Sequence, residues 1–271
     1  MSTAPSDLVV EGLRKRYGNH LAVDDVSFTL APGASLGIVG ESGSGKTTTV
    51  RMLVGLERPD GGTVRVGGRD RSTPARGRAE RLARAREIQM VFQDPYLSLD
   101  PRVPVARCVE EVLRLHHPMD ARAREARVAE LLDQVGLGER EASALPGRLS
   151  GGQRQRVAIA RALAAEPRVL VLDEAVAALD VSIQAQVLEL LTRIRRETGI
   201  AFLFVTHDLA VVRHITDEVM VLKAGRIVEH GPTPRLLDTP ADPYTRLLLD
   251  SVPHRGWNPS RASAGRRLTG A

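Results

Sequence analysis

The chain is poor in the residues that would tie it together covalently or carry it through a bilayer. Its 271 residues include one cysteine, Cys108. That excludes an internal disulfide and any site built from thiolates alone, and leaves a core or surface thiol. Aromatic residues make up 3%, little material for base-stacking platforms. No stretch approaches the roughly 20 consecutive apolar residues that a membrane-spanning helix needs. Met1 to Asp7 lacks the basic and apolar pattern of a secretory leader. These absences lead to the expectation of a cytoplasmic chain, soluble by itself. Internal repeats are missing as well. Lysine is scarce: only Lys15, Lys46 and Lys223 among 38 Lys and Arg residues. The net charge of +5 permits contact with nucleic acid or an anionic membrane without establishing it. The 42% hydrophobic content suffices for a sizeable core, in one large domain or a domain with lobes.

Against these absences stands one dense motif. Gly40, Glu41, Ser42, Gly43, Ser44, Gly45, Lys46 and Thr47 fit G-x-x-x-x-G-K-[ST], the phosphate-binding loop. A chance match in a chain this long is on the order of 1%. The flanks suit the motif. Ala34 to Val39 reads as a buried strand, and Val50, Leu53 and Val54 fall at helical spacing. The glycines let successive N–H groups point inward as an anion nest, and the helix N-terminus adds its positive dipole end. Lys46 reaches β- and γ-phosphates in such loops, and Thr47 ligates Mg²⁺. One of three lysines at this position agrees with a need for a compact point charge. The plainer alternative is a flexible glycine turn.

Around the loop, alternation predicts strands over Leu8 to Tyr17 and Val23 to Leu30, joined by a turn at Gly18, Asn19 and His20. Val64 and Val66 mark another strand ending at Gly67 and Gly68. Together these suggest an antiparallel β-lobe around the loop-bearing strand. Tyr17 is either a packed core aromatic or, near a nucleotide, a ring that stacks on a base. Asp70 to Arg86 reads as a solvated helix or loop. Ile88 to Phe92 is a short buried-strand candidate. Gln93 at its end could ligate Mg²⁺ through its carbonyl oxygen, a weak signal alone. Val105 to Leu163 reads as a mostly helical lobe inserted between two parts of a sheet domain. Val128, Leu131, Leu132 and Val135 follow i, i+3, i+4, i+7, with Gly136 as a stop.

Ser150 and Gln153 fit a capping box that opens the last helix of this lobe. Gly151 and Gly152 inside it are poor helix formers. They make sense either as a turn or where another molecule's phosphate must approach the backbone closely. Val169 to Leu172 is a buried parallel-strand run ending in Asp173 and Glu174. Carboxylates at an apolar strand end are costly unless partnered. Asp173 fits a Mg²⁺-linked carboxylate, and Glu174 a residue that orients or deprotonates water; helix capping is the alternative. Ile183, Val187, Leu190, Leu191 and Ile194 mark an amphipathic helix. Ile200 to Val205 is a further buried strand, followed by Thr206, His207 and Asp208. A histidine there can be structural. As the third strand end with polar residues, it reads better as facing the same site, with a hydrogen for the γ-phosphate. Lys223, Ala224 and Gly225 form a tight hairpin. Beyond Gly231 lie Pro234, Pro240, Pro243 and Pro253 with a short helix around Tyr244 to Asp250, and then a basic stretch that reads as a disordered tail.

Taken together, the motifs over Leu8 to Pro253 resemble the ATP-binding subunit of an ABC transporter. That family has a phosphate loop, a Gln loop (Gln93), a Leu-Ser-Gly-Gly-Gln signature (Leu149–Gln153), an acidic strand end (Asp173, Glu174), an Asp loop (Asp180) and a switch histidine (His207), in this order. Longer stretches are similar to the oligopeptide, dipeptide and nickel importer group: Gly40–Gly45, Gln89–Tyr96, Asp180–Val187 and Asp242–Arg246. One departure stands out. Where the family usually has Pro-Thr-Ser-Ala-Leu-Asp, this chain has Ala175-Val176-Ala177-Ala178-Leu179-Asp180. The cysteine cluster that some members carry near the C-terminus is missing.

The resemblance implies an α/β fold: a P-loop NTPase core with a mostly parallel sheet, an antiparallel β-lobe and an inserted helical lobe. It implies an ATP-binding domain over 8–231 with the helical lobe at about 95–165, an extension over 232–253 and a tail over 254–271. It implies ATP and Mg²⁺ as ligands. Tyr17, Gly40 to Thr47, Thr48 and Gln93 would hold the nucleotide, and Thr47, Gln93 and Asp173 the metal. Glu174 and His207 would be catalytic. Ser150, Gly151, Gly152 and Gln153 would meet the nucleotide of a second ATPase chain, identical or homologous, and Asp180 would lie at that dimer contact. Gln93 to Arg102 would pass motion to integral-membrane permease subunits. An extracytoplasmic solute-binding protein would be an indirect partner, nucleic acid would not be one, and the chain would sit at the cytoplasmic face of the membrane. Two other readings are weaker: a non-transport ABC ATPase acting on DNA or the ribosome, which only the basic charge favours, and a P-loop kinase, which leaves the signature unexplained.

Overall fold

The computed structural model describes residues 7–94 and 98–251. The expected tail over 254–271 lies outside the described residues. Two sheets organise the rest. The first is antiparallel and combines β1 (Leu8–Tyr17), β2 (His20–Leu30), β4 (Gly61–Val66) and β5 (Arg69–Asp70) in the order β2-β1-β4-β5. The second has six strands. β3 (Ser35–Val39), β6 (Ile88–Val91), β7 (Val169–Asp173), β8 (Ala201–Val205), β9 (Glu218–Lys223) and β10 (Arg226–Pro232) run in the order β10-β9-β3-β8-β7-β6. All its pairings are parallel except the β9–β10 hairpin. The loop-bearing strand β3 belongs to the mostly parallel sheet, and the antiparallel lobe is a separate sheet, as expected. All five residues of β3 are buried, and only a strand covered on both faces tolerates such a run.

Side-chain alternation along β7 and β8 divides the core in two. Leu170, Leu172, Phe202 and Phe204 join a cluster with the helices. Val169, Val171, Leu203 and Val205 point the other way, into a cluster with Leu8, Val10 and Val64 of the antiparallel lobe. Each such side chain contributes roughly 1.5–3 kcal/mol by leaving water. The helices of the first face are α3 (Val105–His116), α4 (Ala121–Gln134), α5 (Glu139–Ser143) and α6 (Gly151–Leu163), which fall between β6 and β7, together with α7 (Val181–Thr198) after β7. Cys108 is buried there, and burial pushes its thiol pKa up. The predicted stripe of Val128, Leu131, Leu132 and Val135 is buried. α2 (Gly77–Glu87) buries no residue, as its charge suggested.

Some boundaries differ from the sequence reading. β6 stops at Val91, and Phe92 is 40% exposed. β2 starts at His20, so the turn is only Gly18 and Asn19. The hairpin after Lys223 is Ala224-Gly225 alone, with φ of 46° and 80°; two positive values define the type I′ turn that matches strand twist. Two helices precede and fill the C-terminal segment: α9 (Thr233–Asp238) and α10 (Pro243–Asp250). With α8 (Leu209–Ile215) they close a third cluster, in which Leu236, Leu237 and Tyr244 meet Val39 and Val212. Among the described residues, no helix is long and apolar enough to cross a membrane.

Candidate nucleotide site

Three neighbouring parallel strands, β3, β8 and β7, end side by side. Ile38 pairs with Val205 and Val205 with Asp173. The segments leaving these ends are Gly40 to Gly45, Thr206 to Asp208 and Glu174 onward, at the carboxyl edge where open α/β sheets bind ligands. Two backbone bonds tie the ends together: Thr206 N–H donates to Ile38 O at 3.2 Å, and Glu174 N–H to Val205 O at 2.8 Å.

The loop needs glycine where it turns most sharply. Gly40 has φ 153°, and a Cβ there would sit 2.2 Å from Leu222 O and 2.7 Å from Ser44 Oγ. Gly45 has φ 104°, and its Cβ would sit 2.5 Å from Ala22 O. Gly45 caps α1 (Lys46–Leu53), so the first helical N–H groups face the loop. Lys46 is 7% exposed, and its Nζ donates to Gly40 O at 2.8 Å and Glu41 O at 2.9 Å. Burial lowers its pKa, while Glu174, Asp173 and Glu41 oppose that shift. Among the described residues, the buried Ser44 Oγ has no hydrogen-bond partner. A cationic head with an unsatisfied hydroxyl beside it in a glycine cradle fits a phosphate group.

A cavity of 340 Å³ lies over the loop. Ser42, Gly43, Gly45, Lys46, Thr47 and Thr48 line it from the loop and α1, Glu174 and His207 from the other strand ends, and Tyr17 from β1. Tyr17 is 45% exposed, so it is a rim residue and not core. Lys15 Nζ lies 5.3 Å from its ring centre. Nδ1 of His207 is 3.1 Å from Glu174 Oε1. Sequence reasoning missed His20 and Ala22, which also line this cavity; their place in a hairpin left no chemical signal.

The remaining candidates lie outside that cavity. Gln93 lines a separate cavity of 310 Å³ with Gly151, Gln155 and Leu179. Asp173 is half-buried at the end of β7; burial, then the neighbouring Glu174, push its pKa up, against Arg51 and Lys46. Ser150 caps α6 with the full capping box: its Oγ accepts from Gln153 N–H at 3.2 Å, and Gln153 Oε1 from Ser150 N–H at 2.9 Å. Gly152 has a reason within the chain, since a Cβ there would meet Ile183 Cγ2 at 2.4 Å. Gly151 shows none among the described residues, where the nearest atom to a Cβ would be Leu179 Cδ2 at 3.7 Å. Asp180 occupies the N-cap position of α7, yet its side chain makes no capping bond. In the departure from the family pattern, Ala175 and Val176 are buried in the core while Ala177 is exposed.

A family model described as ABC transporter matches residues 23–177. The chain belongs to the ABC transporter family. Within that family it is 48% identical over 241 residues to the oligopeptide transport ATP-binding protein OppD of Mycobacterium bovis, covering 89% of this chain. It is 49% identical over 232 residues to the glutathione import ATP-binding protein GsiA of Escherichia coli, covering 86% of this chain. The chain spans only 39% and 37% of the length of these two relatives. Its fold is that of ABC ATP-binding cassettes. The dimeric cassette MJ0796, solved in a post-hydrolysis state with ADP and Pi, matches 83% of this chain and 98% of its own at 30% identity, with a TM-score of 0.74.

Proposed function

We propose that this chain binds and hydrolyses ATP as the nucleotide-binding subunit of an ABC importer for peptides or a related small solute. The observation that carries the reading is the shared cavity over the phosphate loop, into which Lys46, Glu174 and His207 converge from three adjacent strand ends. The names of OppD and GsiA support the substrate class.

Glycine-ordered N–H groups from Gly43 to Thr47 hold the phosphates, and Lys46 meets their charge. Tyr17 offers its ring to the base. Thr47 and Asp173, with Gln93 from the separate cavity beside Gly151, would supply the hard oxygen donors that suit Mg²⁺. That ion, when bound, neutralises charge developing on the phosphate oxygens. Glu174 orients the attacking water and accepts its proton at the carboxylate, while the His207 imidazole holds that carboxylate in place. Ser150, Gly151, Gly152 and Gln153 close over the nucleotide of a second ATPase chain, and Asp180 meets that chain. Residues 8–231 form the ATP-binding domain, with 232–253 as an extension. The permease subunits bind the chain at the cytoplasmic face of the membrane, near Gln93 to Arg102.

The test has two arms. Lys46→Ala should abolish ATP turnover in a folded protein; near-normal phosphate release would overturn the site. A pull-down from detergent-solubilised membranes should recover permease subunits. Recovery of ribosomes or nucleic acid in their place would overturn the transport reading.

A further inference from the structure

The phosphate loop is gripped from a part of the chain that none of the ATP-site motifs includes. Tyr244, at the start of α10, accepts a hydrogen bond at its hydroxyl from the Glu41 N–H at 3.2 Å. The Glu41 carbonyl in turn accepts from Lys46 Nζ. Tyr244 and Lys46 therefore hold the two backbone polar groups of one loop residue. The Tyr244 ring is 7% exposed in the third core cluster, and Lys223 Nζ lies 4.6 Å from its centre, within cation–π range. Lys223 opens the turn whose Gly225 N–H donates to Ser44 O at 3.0 Å. The loop is thus anchored at Glu41 and at Ser44 by the segment that follows β8.

The anchor is itself fixed. Asp242 caps α10 by accepting from Tyr244 N–H at 2.7 Å. Glu229 on β10 accepts from the N–H groups of Ala241 and Asp242 at 2.8 and 3.1 Å. Pro243 at the first turn costs no helical hydrogen bond. Burial raises the Tyr244 phenol pKa, which keeps the hydroxyl protonated at neutral pH.

We propose that Tyr244 is a positioning residue for nucleotide binding, whose hydroxyl fixes Glu41 and so pre-sets Lys46 and the loop for phosphate. This rests on the ATP-binding reading above. Pre-organisation lowers the cost of binding, so its loss appears in affinity and not in the chemical step.

The experiment compares wild type, Tyr244→Phe and Lys46→Ala in full-length protein, using ATP with Mg²⁺ and melting curves as a folding control. Tyr244→Phe keeps the ring and its packing and removes only the acceptor. Its Kd and KM for ATP should rise roughly 2- to 10-fold, the scale of one net hydrogen bond, with kcat within about twofold. A Phe variant with wild-type Kd and KM overturns the proposal while leaving the ATP site intact, provided wild type binds and Lys46→Ala does not. Failure of wild type to bind ATP would instead overturn the ATP reading itself. Should the Phe variant melt early, hydrogen exchange at the Glu41 amide of the wild type decides: a protected amide supports the anchor, and fast exchange overturns it.

Discussion

Nδ1 of His207 lies 3.1 Å from Oε1 of Glu174, linking the turn after β8 to the end of β7. Glu174 reaches this position through a left-handed backbone, φ 49°, a conformation that costs a non-glycine residue about 1–3 kcal/mol. Its N–H bond to Val205 and the histidine together hold the carboxylate toward the cavity. Strain of this kind at a ligand cavity agrees with a side chain kept in one orientation for chemistry.

Glu174→Gln keeps the shape and the contact with His207 but loses the negative charge and most of the basicity. Phosphate release should fall ~10²-fold or more, the scale of a positioned general base, while ATP and Mg²⁺ still bind. Size-exclusion chromatography with ATP, Mg²⁺ and the partner ATPase chain should reveal an accumulated closed dimer. Hydrolysis at the wild-type rate would mean that another group is the base.

In the proposed site, Asp173 would set stability against function. Its folded-state pKa is raised by burial and by Glu174, so the folded state holds the proton to higher pH than the unfolded chain does. Stability is therefore lost as pH rises from the ordinary carboxylate value, about 3.9, through the raised one. Asp173→Asn should raise Tm in the absence of nucleotide, by roughly 2–4 °C per kcal/mol regained. The gain should vanish near pH 4 and below, and the added stabilisation by Mg²⁺ with ATP should shrink. Melting curves between pH 4 and 8 check this, and a lowered Tm at pH 7 would contradict it.

Gly152→Ala should cost about 1–3 kcal/mol, because the new methyl overlaps Ile183 Cγ2. Ile183→Ala makes room, so the double variant should be more stable than the sum of the two single losses. Denaturant unfolding of the four proteins measures the coupling. Strict additivity would leave partner contact as the only reason for glycine at this position.

What could be read in advance followed from how local each signal is. The loop declares itself because phosphate binding needs glycines, a lysine and a helix start within eight consecutive positions. The buried runs of β7 and β8 show as uninterrupted apolar residues, since both faces are covered. The Ser150–Gln153 box spans four residues and forms as written. By contrast, the Tyr244–Glu41 bond joins residues 203 positions apart, and a single tyrosine in a proline-rich stretch carries no period. α9 is six residues long, too short to show a helical period, and its Pro234 sits in the first turn, where proline is tolerated. The Gly152–Ile183 contact depends on how α6 crosses α7, which neither helix's pattern specifies.

In the proposed dimer, Ser150 separates the chain's own site from the one offered to a partner. It caps α6 at an exposed position and does not line the cavity over its own phosphate loop. Ser150→Arg removes the cap oxygen, at a cost of about 1 kcal/mol, which the fold should survive. A monomer carrying the substitution should bind ATP with nearly unchanged Kd, since Lys46, Glu41 and Tyr244 are untouched. Dimer closure should fail, because a bulky cation replaces the small hydroxyl next to Gly151, where a partner's phosphate would approach. ATP turnover should then fall to background although binding persists. Mixing Ser150→Arg with Lys46→Ala gives the decisive comparison. In a mixed dimer, the only intact phosphate loop, from the Ser150→Arg chain, faces the only intact signature, from the Lys46→Ala chain, so one composite site is restored. Recovered turnover in the mixture, with neither variant active alone, is the expected result. A parallel loss of monomer ATP affinity in Ser150→Arg would show instead that the substitution acts through misfolding.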